Sequence, residues 1–203
     1  MNYVEFERAL KIFPVFSIKD IRKWYSDFNS RRLVEWQKKS YIVKIRRGYY
    51  CFSERERGEH FIFFAANKIY SPSYISLQSA LTWYNLIPEG VFITSSVTTK
   101  NTAGYDTAIG NFEYKHLRPD LFFGYKLVTN SNFTFKIAEP EKVILDYFYL
   151  NPINHIEEIE EIRFNEILIN EQINLDKLKQ YQNIFNSKIL DKRIKMFLKV
   201  INA

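Results

Sequence analysis

The chain has 203 residues, 46% hydrophobic and 26% charged, which excludes a disordered or fibrous protein. Its formal net charge is +6, and its single cysteine, Cys51, excludes an internal disulfide framework and a multi-cysteine zinc site. The first 20 residues have no signal-peptide core, and no apolar run is long enough to span a bilayer. We therefore expect a cytoplasmic protein without a membrane partner.

The positive charge is concentrated near the N-terminus. Residues 1–52 hold 12 of the 29 lysines and arginines but only 5 of the 23 acidic residues, whereas residues 53–203 are close to neutral. A local excess of positive charge attracts polyanions and steers their approach. A solvated basic face is the simpler alternative. The predicted secondary structure of the basic segment decides between the two.

Two helices are predicted over the first 28 residues. Apolar residues at helical spacing predict the first over about residues 2–11. Ser17 and Asp20 form a start similar to a capping box for the second helix. Either Trp24 or Tyr25 completes the apolar stripe of this second helix.

A third helix and a hairpin follow. The helix begins at a cap, Asn29 or Ser30, and runs to about Ser40, with Leu33 and Trp36 on its apolar face. Its other face carries Arg31, Glu35, Lys38 and Lys39, with Arg32 beside them. Alternation of Ile and Val with polar residues then predicts a strand from Tyr41, a tight turn at Arg47 and Gly48, and a second strand ending at Phe52.

Three helices followed by a basic hairpin are typical of a winged helix-turn-helix, so residues 1–52 are predicted to be a DNA-binding domain. Arg31 and Arg32 can present guanidinium forks to guanine edges in the major groove. Ser30 and the N-terminus of the third helix can hold a phosphate. The other predicted phosphate contacts, where a point charge suffices, are Lys38, Lys39, Lys44, Arg46 and Arg47. A protein-binding winged helix with a solvated basic face is the alternative.

A polar link over residues 53–58 is the predicted boundary to a second, mixed α/β domain over residues 53–203. The whole chain is thus expected to be α+β. Helices are predicted over 59–69, over 75–85 and from Pro140, followed by a helical tail over about 151–203. Strands are predicted over 91–98, 111–117, 121–128 and 133–138.

No catalytic signature stands out, so we expect no enzymatic activity, no cofactor and no metal. The three histidines are isolated in the sequence, and Cys51 is expected to serve packing. Asp106 with Glu113 and Lys115 weakly resembles a metal-dependent nuclease motif. A second acidic group, Glu139, Glu141 and Asp146, lies where helix N-termini favour acidic residues in any case.

Five stretches of the sequence carry a family resemblance. They are the arginine–glycine–aromatic hairpin at 45–50, the serine-rich helix and leucine-x-proline turn at 74–88, the strand at 91–99, the proline–glutamate–lysine helix at 137–146, and the C-terminal pieces 175–181 and 192–198. In this order they are similar to the AbiEi family of bacterial antitoxins, the regulatory half of type IV toxin–antitoxin and abortive-infection modules. Lys195 and Met196 stand where many members carry leucine and glycine, which bears on the packing of the last helix.

The resemblance implies a two-part protein without catalytic activity. Its winged helix would bind inverted repeats upstream of its own operon and repress it. Its C-terminal domain would neutralise a nucleotidyltransferase-like toxin, with no stable complex expected. Because one winged helix makes few contacts, we expect two copies to bind the two half-sites cooperatively.

Three other functions remain open at this point. One is a winged-helix transcription factor whose aromatic-rich C-terminal domain senses a small ligand. Another is a nuclease that uses Asp106, Glu113 and Lys115. The third is a structural module that binds a protein partner.

Overall fold

The computed structural model describes residues 2–90, 92–130 and 133–201, which form an α+β fold as expected. The first part of the chain contains α1 (Tyr3–Leu10), β1 (Phe16–Ser17), α2 (Ile18–Trp24), α3 (Arg31–Lys38), β2 (Ile42–Arg46) and β3 (Tyr49–Phe52). The three helices and the hairpin are therefore confirmed. The strands form an antiparallel sheet in the order β1-β3-β2. The sequence does not predict β1, because a two-residue strand shows no alternation.

An aromatic cluster holds these elements together. Phe6 of α1 is fully buried, and its ring centroid lies 4.3 Å from that of Trp36 and 5.6 Å from that of Phe16. The cluster supplies the apolar contact that three short helices need, since such helices are marginal without tertiary packing.

The capping box at the start of α2 is also confirmed. The backbone N–H of Asp20 donates to Ser17 Oγ at 3.2 Å, and the backbone N–H of Ser17 donates to Asp20 Oδ2 at 2.9 Å. These two bonds satisfy N–H groups that have no partner within the helix. At the other end of α2 Tyr25 packs on the aromatic cluster, whereas Trp24 is 56% exposed.

The larger part of the chain contains one mixed sheet and seven helices among the described residues. Its elements are α4 (Glu59–Ile69), β4 (Ser73–Ile75), α5 (Leu77–Trp83), β5 (Ile93–Thr98), β6 (Ala103–Thr107), β7 (Gly110–His116), β8 (Tyr125–Asn130), β9 (Phe133–Ala138), α6 (Pro140–Leu150), α7 (Ile156–Glu160), α8 (Glu166–Gln172), α9 (Leu175–Phe185) and α10 (Lys188–Ile201).

The predicted elements need three corrections. The helix expected over 75–85 begins only at Leu77, because the residues before it form β4. The strand expected over 121–128 begins at Tyr125, because Pro119–Leu121 form a 3-10 turn. Strand β6 is not predicted, since its sequence mixes small and polar residues without an apolar alternation. Val91, the first residue of another predicted strand, lies outside the described residues.

The sheet has the strand order β6-β7-β5-β4-β9-β8, with parallel pairs β4–β9 and β5–β7 and antiparallel pairs elsewhere. Helix α4 packs on one face, where the Tyr114 hydroxyl donates to the Ala66 carbonyl at 2.8 Å. Helix α6 packs on the other face, and α7, α9 and α10 pack on α6 or on one another. The predicted helical tail thus forms an outer layer of helices.

A buried polar network joins α6 to the sheet. Lys142 and Asp146 lie one helical turn apart on α6, both fully buried and ion-paired. The Lys142 ammonium also donates to the Tyr74 hydroxyl at 2.9 Å. The hydroxyls of Tyr74 and Ser76 donate to Asp146 Oδ2 at 2.8 and 2.9 Å. Burial lowers the pKa of Lys142, and the Asp146 carboxylate counteracts that shift.

We predict that Asp146→Ala destabilises the protein by about 3–5 kcal/mol, because it leaves the Lys142 ammonium buried without its counter-charge. Urea denaturation followed by circular dichroism measures the change. Asp120→Ala removes a carboxylate that pairs with Arg118 on the surface at 2.6 Å, and this control should leave the urea midpoint unchanged. Equal midpoints for the two variants would contradict a stabilising role for the network.

Candidate nucleic-acid interface

The aromatic cluster determines which face of α3 is exposed. Leu33 and Trp36 are buried against it, as their helical spacing predicts. The remaining face of α3 is open to solvent and carries Arg31, Arg32, Val34, Glu35 and Lys38. The two arginines therefore lie in the first turn of an exposed helix face, the position from which a recognition helix contacts bases.

Asn29, rather than Ser30, caps the start of α3. The backbone N–H of Arg31 donates to Asn29 Oδ1 at 3.0 Å, while the Ser30 side chain makes no capping bond. Ser30 is exposed at the helix start, where the backbone N–H groups of Arg31 and Arg32 are already bound to Asn29. A phosphate contact by Ser30 stays a prediction.

The β2–β3 hairpin presents two further cations beside α3. Helix α3 packs against β2, which carries the exposed Lys44. The predicted turn at Arg47 and Gly48 is confirmed, and Gly48 has a φ of +86°, a conformation that favours glycine. Arg47 is exposed at the tip of the hairpin. Lys38 and Lys39, at the end of α3, are exposed as well.

Arg46 has a different position from the other predicted site residues. A β-bulge at Ile45 shifts the register between Lys44 and Arg46. The Arg46 guanidinium lies 4.3 Å from the ring centroid of Tyr105 on β6, and its Nη1 donates to the Ile69 carbonyl at 2.9 Å. Arg46 therefore connects the hairpin to the larger part of the chain, a role that the sequence does not predict.

Most of the predicted DNA contacts are exposed positive charges, and Glu35 is an acidic residue on the same face of α3. None of the following cations makes an ion pair with another described residue: Arg31, Lys38, Lys39, Lys44 and Arg47. Two nearby acidic groups have other partners: Glu5 caps α1, and Asp20 pairs with Lys68 at 3.4 Å. Burial alone would raise the pKa of Asp20, but hydrogen bonds from Ser17 and the Lys68 charge outweigh this effect. The pKa is therefore lowered overall, and the carboxylate stays ionised.

The structure adds an exposed tryptophan to this surface. Trp24 lines a surface cleft of about 470 Å³ at the α2–α3 turn, together with Tyr25, Ser26, Asp27, Phe28, Asn29 and Arg32. Sequence reasoning leaves Trp24 and Tyr25 as equal candidates for the apolar stripe. Only the packing shows that Trp24 is the exposed member of the pair.

The residues of the second acidic group have partners of their own. Glu139 and Glu141 share Lys177, at 3.3 and 3.1 Å, whereas Asp146 belongs to the buried Lys142 network. The Lys115 ammonium of the nuclease-like motif donates to the Asn151 side chain at 2.9 Å. Within residues 2–90, 92–130 and 133–201, no group of three or more His, Cys, Asp or Glu side chains is placed to hold a metal ion.

Cys51 is fully buried, and burial raises the pKa of its thiol to about 11. A thiol with a raised pKa is protonated at neutral pH and is a poor nucleophile. The packing role expected for Cys51 agrees with this environment.

Comparison with protein-family models finds none that matches the chain, and no curated protein matches it in sequence. The resemblance to AbiEi antitoxins therefore rests on the five sequence stretches alone. Among the helices of the described residues, none is long and apolar enough to cross a membrane.

Arg46 and Arg47 are adjacent in the sequence but differ in role: Arg46 anchors the hairpin, and Arg47 is a surface cation. Arg46→Ala removes a charged hydrogen bond and a cation–π contact, so we predict that it lowers the free energy of unfolding by about 1–3 kcal/mol. Arg47→Ala removes an exposed cation and should change that free energy by less than about 0.5 kcal/mol. Chemical denaturation of both variants measures the difference. A larger loss for Arg47→Ala would contradict the assignment.

Proposed function

We propose that this protein is a DNA-binding transcriptional repressor, and that residues 1–52 are its winged-helix domain. The proposal is supported by the element order of the first part of the chain. A helix, a strand, two helices and a hairpin, with the three strands in one sheet, are what we expect of a winged helix. The observation that carries the proposal is a set of exposed cations that make no ion pair with another described residue, namely Arg31, Lys38, Lys39, Lys44 and Arg47. Duplex DNA supplies the matching density of negative charge.

Each cation has a role that suits its chemistry. Arg31 and Arg32, in the first turn of α3, contact base edges in the major groove. Lys44 and Arg47 on the hairpin contact the phosphates that flank the groove. Lys38 and Lys39, together with Ser30, hold the phosphates at the two ends of α3. Arg46 supports this surface by anchoring the hairpin, because its guanidinium donates to the Ile69 carbonyl and lies over the Tyr105 ring.

The resemblance to AbiEi antitoxins extends the proposal to the whole chain. The operator is then an inverted repeat upstream of the protein's own operon, and binding represses that operon in the cytoplasm. The domain over residues 53–203 neutralises a nucleotidyltransferase-like toxin, without a stable complex between the two proteins. The sequence stretches at 74–88 and 137–146, which include the buried Tyr74, Ser76, Lys142 and Asp146, support this part.

We predict that Arg31→Glu with Lys38→Glu abolishes binding to DNA from upstream of the gene, because both cations become anions that the phosphates repel. A mobility-shift titration with scrambled competitor DNA measures binding. Lys179→Glu, an exposed position on α9, is the control and should bind as the wild type does. The proposal fails if the double variant is folded by circular dichroism and still binds normally.

A second prediction concerns salt. Wild-type affinity should fall steeply as the salt concentration rises, and Arg47→Ala should reduce the slope of log K against log salt by about one. Arg47 releases counter-ions when it neutralises a phosphate, and alanine cannot. Fluorescence anisotropy over a range of salt concentrations gives both slopes. An unchanged slope would remove Arg47 from the phosphate contacts.

A third prediction concerns the operator. The complete inverted repeat should bind more tightly than a single half-site, since the second copy adds contacts to an already occupied site. Titrations with the full repeat and with one half-site scrambled measure this difference. Equal affinity for both probes would exclude cooperative binding.

A further inference from the structure

The outer helices carry two surfaces of opposite charge that the proposed DNA contact does not use. The first is a row of exposed lysines on α10 at spacings of four, three and four residues: Lys188, Lys192, Lys195 and Lys199. In an α-helix these positions lie on one side, so the row is about 16 Å long. We call it the basic stripe.

Contacts among the described residues do not account for the basic stripe. Lysines three or four residues apart repel one another and destabilise an isolated helix. Lys188 lies in addition at the helix N-terminus, where the macrodipole favours acidic side chains. None of the four lysines makes an ion pair with another described residue. The charge is therefore available to a partner.

The second surface is acidic and lies on α7 and α8. Its exposed members are Glu157, Glu160, Glu161, Glu166 and Glu171. None of these carboxylates forms an ion pair within the part of the chain that the structure describes. We call these five residues the acidic face.

The position of the acidic face argues against a nucleic acid on the basic stripe. Helix α7 packs directly against α10, so the glutamates of α7 lie on the helix next to the stripe. A long polyanion along α10 would meet these carboxylates and be repelled. A partner that carries both charges, in the complementary arrangement, meets no such repulsion.

Each surface also offers an exposed aliphatic side chain. Ile189 follows Lys188 at the start of the basic stripe and is 64% exposed. Ile167 follows Glu166 on the acidic face and is 72% exposed. An apolar contact surrounded by a polar rim is the usual arrangement of a protein–protein interface.

We propose that the partner is a second copy of this chain, with the basic stripe of each copy on the acidic face of the other. Four lysines oppose five glutamates, and a two-fold axis makes the contact twice. The same axis relates two half-sites of an inverted repeat. The interface itself does not depend on DNA binding and is testable without DNA.

Sedimentation velocity of the DNA-free protein tests the association. We expect a concentration-dependent dimer at about 0.05 M salt and a monomer at about 0.5 M, since salt screens exposed charges. A wild-type protein that stays monomeric at low salt over the accessible concentrations would overturn the proposal.

Charge reversal identifies the surfaces. The first variant, Lys192→Glu with Lys195→Glu, removes the net charge of the basic stripe, and the second, Glu157→Lys with Glu161→Lys, removes most of the net charge of the acidic face. Each variant alone should dimerise at least about tenfold more weakly than the wild type. An equimolar mixture should form a heterodimer more readily than either variant dimerises alone, because the unaltered stripe of the second variant then meets the unaltered acidic face of the first. A mixture that remains monomeric would overturn the proposal.

The matched control is Lys19→Glu with Lys23→Glu, which makes the same change of charge at exposed positions of α2. It should dimerise as the wild type does, and an equal loss in this control would overturn the proposal. Binding of a single DNA half-site, measured separately, should not change in either reversal variant. If Lys192→Glu with Lys195→Glu dimerises normally and loses affinity for DNA, the stripe binds nucleic acid and the self-association proposal is wrong.

Discussion

The Lys142–Asp146 pair fixes how the helices lie on the sheet. Both residues belong to α6, and their remaining partners, Tyr74 and Ser76, lie in and directly after β4. A buried charge that loses its partner costs several kcal/mol, so α6 has one position on the sheet that satisfies all four groups. The positions of α9 and α10 follow from this, because both pack on α6. The outer charged surfaces therefore have a defined arrangement.

The first part of the chain is held to the larger part by contacts of another kind. Arg46 donates to the Ile69 carbonyl, Asp20 pairs with Lys68, and Arg55 donates to the Lys11 carbonyl at 2.6 Å. These contacts are few and partly exposed, and apolar packing supplements them. They leave the exposed face of α3 uncovered while they hold the hairpin from its inner side. These contacts therefore fix the orientation of the basic surface relative to the larger part of the chain.

Local patterns of the sequence predict the elements of this surface, and long-range contacts account for what they miss. The apolar positions Leu33 and Trp36 predict the buried face of α3 and thereby the exposed one, and the turn at Gly48 predicts the hairpin. The role of Arg46 is not predictable, because it depends on a bulge and on Tyr105, far along the chain. The sequence likewise groups Asp146 with neighbouring glutamates, because its actual partner, Tyr74, lies 72 residues away. DNA binding itself stays a prediction.

The parallel pairing of β4 with β9 also sets the order in which the chain can mature during synthesis. Ile75 cannot find its partner Ile137 until most of the protein has left the ribosome. The first 52 residues, by contrast, already contain every strand of their own sheet. Val15, Ile45 and Cys51, however, pack into the larger core. The apolar side that these residues form therefore stays uncovered in the nascent chain until its later partners emerge.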